Sequence, residues 1–243
     1  MSNITIDIIT PNIFPKNQII SGMTKRNFEK FPPKGFTISP DTNQLALNHR
    51  KILAEFLNID ISKMKYQRQI HSDIIQIMDE NSPNSNQSDA MITTIKGLVL
   101  NISLADCTGV LIYDPIQKVI AAIHSGWRGT KLNISAKAVN IMNKYFNSKP
   151  KDLLVYLTPC ASFSNYEVEW DVAKHFPYFI KKIGNGKFLF DNSSQIKHQL
   201  LQIGILESNI EKSDICTISN LEFHSFRRDK ENSGRMSAFI GMI

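Results

Sequence analysis

Apolar positions along the chain recur with two different periods. Alternation or short β-branched runs mark strands at residues 4–9, 19–23, 64–70, 90–93, 98–104, 110–113, 119–123, 154–157, 210–218 and 236–243. Helical spacing appears in four places. The first runs to about Leu57, with Asp41 or Thr42 as its cap and Leu45, Leu47, Ile52, Leu53, Phe56 and Leu57 as its apolar face. The others span residues 133–146, 168–176 (stopped by Pro177) and 194–203, this last capped by Asn192 or Ser193 and closed by Gly204. Pro32-Pro33-Lys34-Gly35 breaks the chain, residues 80–88 form a polar loop, and residues 220–226 form a turn or short helix. Strands arrive both as hairpins and separated by helices. That predicts an α+β protein with mixed β-sheets and helices outside, not a doubly wound parallel sheet. With no long linker, repeat or charge block, residues 1–243 read as a single domain.

Charge and cysteine content narrow the function classes. The net charge of +6 comes from scattered lysines, with no basic stretch interleaved with aromatics, so no nucleic-acid partner is expected. Such a surface can still steer a phosphate-bearing substrate. Cys107, Cys160 and Cys216 are too few and too scattered for a disulfide framework. No apolar run reaches bilayer length, and the opening MSNITIDIIT has no basic region before an apolar one. The expectation is a cytoplasmic protein with reduced thiols and no membrane partner.

Candidate chemistry concentrates in residues 98–130. Asp114-Pro115-Ile116-Gln117 is a good β-turn, since proline pre-sets φ at the second position. With Pro115 and Ile116 as the corner, Tyr113 faces Lys118 and Cys107 falls opposite His124. Directly opposed side chains share a face with Cβ atoms roughly 4.5–5.5 Å apart, which suits a thiolate and an imidazole on one metal ion. A bulge at Gly109 would shift that register. Two accounts fit the pair: shared metal ligands, or a small buried cysteine beside a satisfied histidine. Ser125-Gly126-Trp127-Arg128-Gly129-Thr130 likewise reads as an anion-binding strand-to-helix turn or as an ordinary turn around a packed tryptophan.

Several blocks together resemble one family. Ala105-Asp106-Cys107, Ala122-Ile123-His124-Ser125-Gly126-Trp127-Arg128-Gly129, Gln69-Ile70-His71 and Ser88-Asp89-Ala90-Met91-Ile92-Thr93 stand in its order. So do Tyr166-Glu167-Val168, Phe226-Arg227-Arg228-Asp229 and Ser233-Gly234-Arg235-Met236. The chain is similar to the YfiH-like family, also called the multicopper polyphenol oxidase or laccase-domain family. Where the family carries Pro-Cys-Cys before Tyr-Glu-Val, this chain has Phe163, Ser164 and Asn165, so no role passes to Cys160.

The resemblance implies an α/β/β/α layered fold. It also implies a metal site of His71, Cys107 and His124 that serves as the catalytic centre. Three protein ligands leave a fourth position for water or substrate, and thiolate with imidazole suits zinc. The implied reaction is phosphorolysis of adenosine, inosine, guanosine and methylthioadenosine, with adenosine deamination as a second activity. Nucleoside and phosphate are then the partners, and Arg26 and Arg128 the phosphate holders.

Copper is the other metal the ligands could take. The six histidines (49, 71, 124, 175, 198 and 224) include no pair two residues apart, too few ligands for a blue copper plus a trinuclear cluster, which argues against polyphenol oxidation. Two further alternatives are a peptidoglycan-editing hydrolase, with Cys107 as nucleophile and His71 or His124 as base, and a non-catalytic binding protein. Arg227, Arg228, Asp229 and Arg235 read equally as pocket residues or as buried ion pairs.

Overall fold

The computed structural model describes residues 5–39, 43–84 and 86–243. In chain order its first half contains β1 (Ile8–Ile9), β2 (Ile19–Thr24), α1 (Gln44–Phe56), β3 (Met64–Lys65), β4 (Ile75–Ile77), β5 (Ala90–Thr93), β6 (Val99–Leu104), β7 (Thr108–Asp114), β8 (Val119–Ser125), α2 (Trp127–Lys131) and α3 (Ile134–Phe146). The second half contains β9 (Leu154–Leu157), β10 (Glu167–Val168), α4 (Trp170–Ala173), β11 (Ile180–Gly184), β12 (Lys187–Phe190), α5 (Asn192–Gln202), β13 (Ile210–Lys212), α6 (Phe226–Asp229) and β14 (Met236–Met242).

The strands form three sheets, in the orders β1-β2-β14-β6-β3, β13-β9-β7-β8-β5-β4 and β10-β12-β11. Pairing is mixed: β3–β6, β4–β5 and β9–β13 are parallel and the rest antiparallel. Alternation along β7 explains how the layers meet. Leu111 and Tyr113 point to a cluster shared with Met23, Ile102, Met236 and Ile240 of the five-stranded sheet. Val110 and Ile112 point the other way, onto Ala138, Val139 and Met142 of α3 and Ile196 and Leu200 of α5. Both faces of β7 are therefore dry, which is why its sequence is almost continuously apolar. On the far side of the five-stranded sheet, Leu53 and Ala54 of α1 pack with Val99 and Phe239. The third sheet, β10-β12-β11, lies outside the strands that the sequence pattern predicts. Its cluster of Val168, Val172, Phe176 and Phe190 packs against Trp127 and Tyr166.

Several predicted elements shorten for identifiable reasons. The strand expected over 64–70 stops at Lys65. The Asn84 side chain then bonds Tyr66 N and Met64 O, and the Gln69 amide pairs with both backbone groups of Ser103. Side chains thus take over the ladder's hydrogen bonds and release the loop that ends at His71. The strand expected over 210–218 ends at Lys212, and the helix expected over 168–176 splits into β10 and α4. Helix α5 is capped by Asp191, whose carboxylate accepts from Ser194 N at 2.9 Å. Asn192 instead reaches Thr108 Oγ1 and Ser125 O. Helix α1 is capped by Asn43, accepting from Leu45 N at 2.9 Å; Asp41 and Thr42 lie outside the described residues.

The β7–β8 hairpin corrects the predicted register. Its turn holds four residues, because Asp114 pairs with Val119 and Lys118 takes a left-handed φ of 55°. Asp114 Oδ1 holds the turn by accepting from Ile116 N and Gln117 N. Tyr113 faces Ile120, and Gly109, not Cys107, lies opposite His124. The ladder runs through Gly109 without a bulge.

Candidate metal centre

Three separate local structures deliver the predicted ligands. His124 lies within β8, Cys107 immediately precedes β7, and His71 ends the loop after β3 with a left-handed φ of 59°. Their ligand atoms all lie within 4.8 Å of one another. The His71 and His124 rings meet edge-to-face with centroids 4.8 Å apart. The shifted register did not separate the pair, since a displacement of two residues preserves side-chain parity.

Asp89, for which the sequence suggested no role, organises the group. Its buried carboxylate accepts from His71 N (3.0 Å), Ser72 N (2.6 Å), Ser72 Oγ (2.7 Å) and Ile70 N (3.3 Å). The same carboxylate takes the Nδ1–H of His124 at 2.8 Å. That bond directs Nε2 toward the cluster, as outer carboxylates do for metal-binding histidines. Burial works against the charge on Asp89, but His124 and Ser72 outweigh it and hold the carboxyl down to about 2. Burial also opposes ionisation of Cys107, yet His124 and His71 lower its thiol to about 6. His124 is raised to about 9 because Cys107 and Asp89 overcome its desolvation. Each group favours the other's charged form, the electrostatics a thiolate ligand needs.

Gly126 closes the site at short range. A Cβ there would lie 2.8 Å from Cys107 Sγ and 3.4 Å from His71 Cδ2. Two imidazoles and a low-pKa thiol fit a borderline-soft ion such as zinc, and the bare backbone at Gly126 leaves the sulfur free of steric interference.

The trio lines a cavity of about 710 Å³, shared with Gln67, Arg68, Gln69, Phe226 and Arg235, and no acidic side chain is among its described lining residues. The two arginines expected to hold phosphate lie elsewhere. Arg26 sits 3.9 Å from Asp229 with its guanidinium over Phe28, and Arg128 stacks over Trp127 at 4.4 Å. Neither belongs to the lining, whereas Arg68 and Arg235 do. Trp127 packs into the third sheet's cluster.

Asp106 is a clamp, not part of a strand. It takes φ 77°, and its carboxylate accepts from Thr217 Oγ1, Ser225 Oγ and Arg227 N. Arg228 is consumed by Asp229 and by the carbonyls of Thr217, Ile218 and Phe223. Buried Cys160 is a free thiol whose backbone pairs with that of Cys216, also free, and it stands outside the metal-binding group. Sequence reasoning missed Asp89 and Arg68 because neither carries a periodic or spacing signal; only the Ser-Asp-Ala block hinted at the first.

These observations define an α+β protein with a single His–Cys–His group able to hold a metal, among the described residues, at the wall of a cationic cavity. The chain belongs to the family described as multi-copper polyphenol oxidoreductase laccase, whose model matches residues 21–243. It is 31% identical over 208 residues to a purine nucleoside phosphorylase of Corynebacterium glutamicum, covering 82% of each chain. It is 32% identical over 237 residues to one of Clostridium acetobutylicum, covering 91% of this chain and 98% of that one. The crystal structure of Bacillus licheniformis YfiH superposes with a TM-score of 0.88 at 26% identity, covering 93% of each chain. The family's name implies several coppers, but two of the described histidines outside the trio are engaged within the fold. His49 stacks on Phe36, and His224 bonds the backbone of Phe36 and Gly234. No described helix is long and apolar enough to cross a membrane.

Proposed function

We propose that this chain is a cytoplasmic, zinc-dependent purine nucleoside phosphorylase acting on adenosine, inosine, guanosine and methylthioadenosine, with adenosine deamination as a second activity. Residues 1–243 then make up one catalytic domain. The observation that carries the reading is the arginine-bearing cavity, with no acidic side chain among its described lining residues, on which His71, Cys107 and His124 converge, in a chain whose relatives of nearly equal length bear that enzyme name.

In phosphorolysis, a phosphate oxygen bonds to the anomeric carbon as the bond from that carbon to the purine nitrogen breaks. The electron pair leaves with the base, which takes up a proton. His71, Cys107 and His124 would hold zinc, which supplies Lewis-acid polarisation when bound. Asp89 keeps His124 in its Nδ1–H tautomer, and Gly126 leaves the sulfur accessible. Cationic lining concentrates the anionic co-substrate and offsets charge developing in the transition state. Arg26 and Arg128, set back from the lining, add to that positive field.

The low thiol pKa of Cys107 between two histidines favours a second reading, a hydrolase with a cysteine nucleophile such as one editing cell-wall precursors. Chromatography of zinc-loaded protein incubated with inosine or adenosine, with and without phosphate, separates the two. Phosphate-dependent release of free base, abolished in Cys107→Ala, is the expected result. Stoichiometric zinc with neither base release nor deamination would overturn the phosphorylase reading.

A further inference from the structure

The arginines around the cavity differ in what their guanidinium groups are already doing. Arg228 has every nitrogen engaged by protein oxygens. Arg26 faces Asp229. Arg235 is held on one edge only: Nη1 donates to Ser233 O at 3.1 Å and Gly234 O at 2.9 Å. Its Nε and Nη2 have no hydrogen-bond partner among the described residues, and no described carboxylate lies within ion-pair distance. The residue is nonetheless well anchored. Its backbone N–H donates to Thr37 Oγ1 at 2.9 Å, its carbonyl accepts from Ile38 N at 3.2 Å, and its guanidinium rests 5.4 Å from the Phe226 ring centroid. It lines the same cavity as Cys107.

A guanidinium pinned through Nη1 presents its Nε/Nη2 edge as a preformed fork, the geometry that engages two oxygens of one phosphate. We propose that Arg235 is the phosphate anchor of this cavity, binding a tetrahedral oxyanion through that fork, with Arg68 adding a second positive charge to the same lining. The proposal deepens the phosphorylase reading and rests on it for the identity of the anion. The same chemistry could be met by inorganic phosphate or by the phosphate of a nucleotide, so the test separates these two sources.

Calorimetry of zinc-loaded protein with inorganic phosphate, and separately with inosine 5′-monophosphate, is compared between the native chain, Arg235→Gln and Arg235→Lys. Loss of a bidentate charged contact predicts phosphate affinity weakened by about tenfold or more in Arg235→Gln, with only partial recovery in Arg235→Lys. Zinc content is expected to stay unchanged. In turnover, the KM for phosphate is expected to rise by a similar factor while the KM for inosine holds, a split that a purely structural arginine would not produce. Arg235-dependent binding of the nucleotide alone would support the anchor and assign its anion to a phosphorylated substrate. Native-like binding of both ligands by Arg235→Gln would overturn it. Should that variant not fold, phenylglyoxal labelling of the native protein decides: phosphate is expected to protect Arg235, and equal labelling with and without phosphate would overturn the proposal. Because binding is read directly, Arg235-dependent phosphate binding without phosphorolysis would retire the phosphorylase reading and leave the anchor standing. Phosphorolysis with unaltered binding would do the reverse.

Discussion

Asp89 and His124 are joined twice. The carboxylate of Asp89 holds the imidazole Nδ1 at 2.8 Å, and its carbonyl accepts the His124 backbone N–H at 2.7 Å. The same carboxylate gathers the amides of residues 70–72, so one buried side chain positions two of the three candidate ligands. In Asp89→Asn an amide replaces an ionic acceptor, and one of its faces presents N–H groups to donors. Metal affinity is expected to fall roughly 10- to 100-fold, the usual effect of losing such an outer partner. Zinc competition against a chromophoric chelator measures it. Native affinity in the variant would mean that Asp89 serves only the loop.

Gly126 makes a different prediction. Its φ of −73° suits any residue, so Gly126→Ala introduces no backbone strain. The added methyl would lie 2.8 Å from Cys107 Sγ, however, and the sulfur must move. Zinc stoichiometry and activity should drop together, while stability falls by only about 1–3 kcal/mol, as for modest overpacking. Metal analysis beside a denaturant melt checks both, and full zinc occupancy in the variant would rule out the crowding argument.

His224 sets a pH dependence separate from the three candidate metal ligands. It is buried, donates Nε2–H to Phe36 O at 2.9 Å and accepts Gly234 N–H on Nδ1 at 3.1 Å, so both nitrogens are satisfied only in the neutral ring. Burial, aided by Arg26 and Arg235, pushes its pKa from 6.5 down to about 4. The folded state therefore disfavours protonation relative to the unfolded chain. The stability tied to the neutral ring is complete above about pH 6.5 and is lost as pH falls toward 4, amounting to on the order of 3 kcal/mol. Urea melts at pH 7 and pH 4.5 should show a smaller loss in His224→Gln than in the native protein. Equal losses would exclude His224 as the titrating group.

The hairpin that carries His124 shows how far local pattern reaches. Apolar runs and Asp114-Pro115 were enough to predict β7 and β8, because strand patterning and turn chemistry act over a few residues. The turn proved to be four residues long, since the Asp114 side chain caps two amides and Lys118 accepts a left-handed φ. That moved the partner of His124 from Cys107 to Gly109. The cysteine and histidine still converged because parity, unlike register, survives a displacement of two residues. Residues 64–71 show the opposite case. Their strand-like pattern is real, but Gln69 takes both backbone groups of Ser103, 34 residues away, and the ladder ends early.

By itself, then, the sequence determined the alternation that buries both faces of β7, the helices that cover the sheets, and the His71, Cys107 and His124 set, the last through ordered motif blocks. Only the tertiary structure decided that Asp89 would bind that set together and that Arg235, not Arg26 or Arg128, would line the cavity. The reason is physical. Periodicity reflects burial of a local face, whereas a buried carboxylate is stable only when donors from distant segments surround it, and a guanidinium is free to bind a ligand only when the fold leaves one of its edges unpaired.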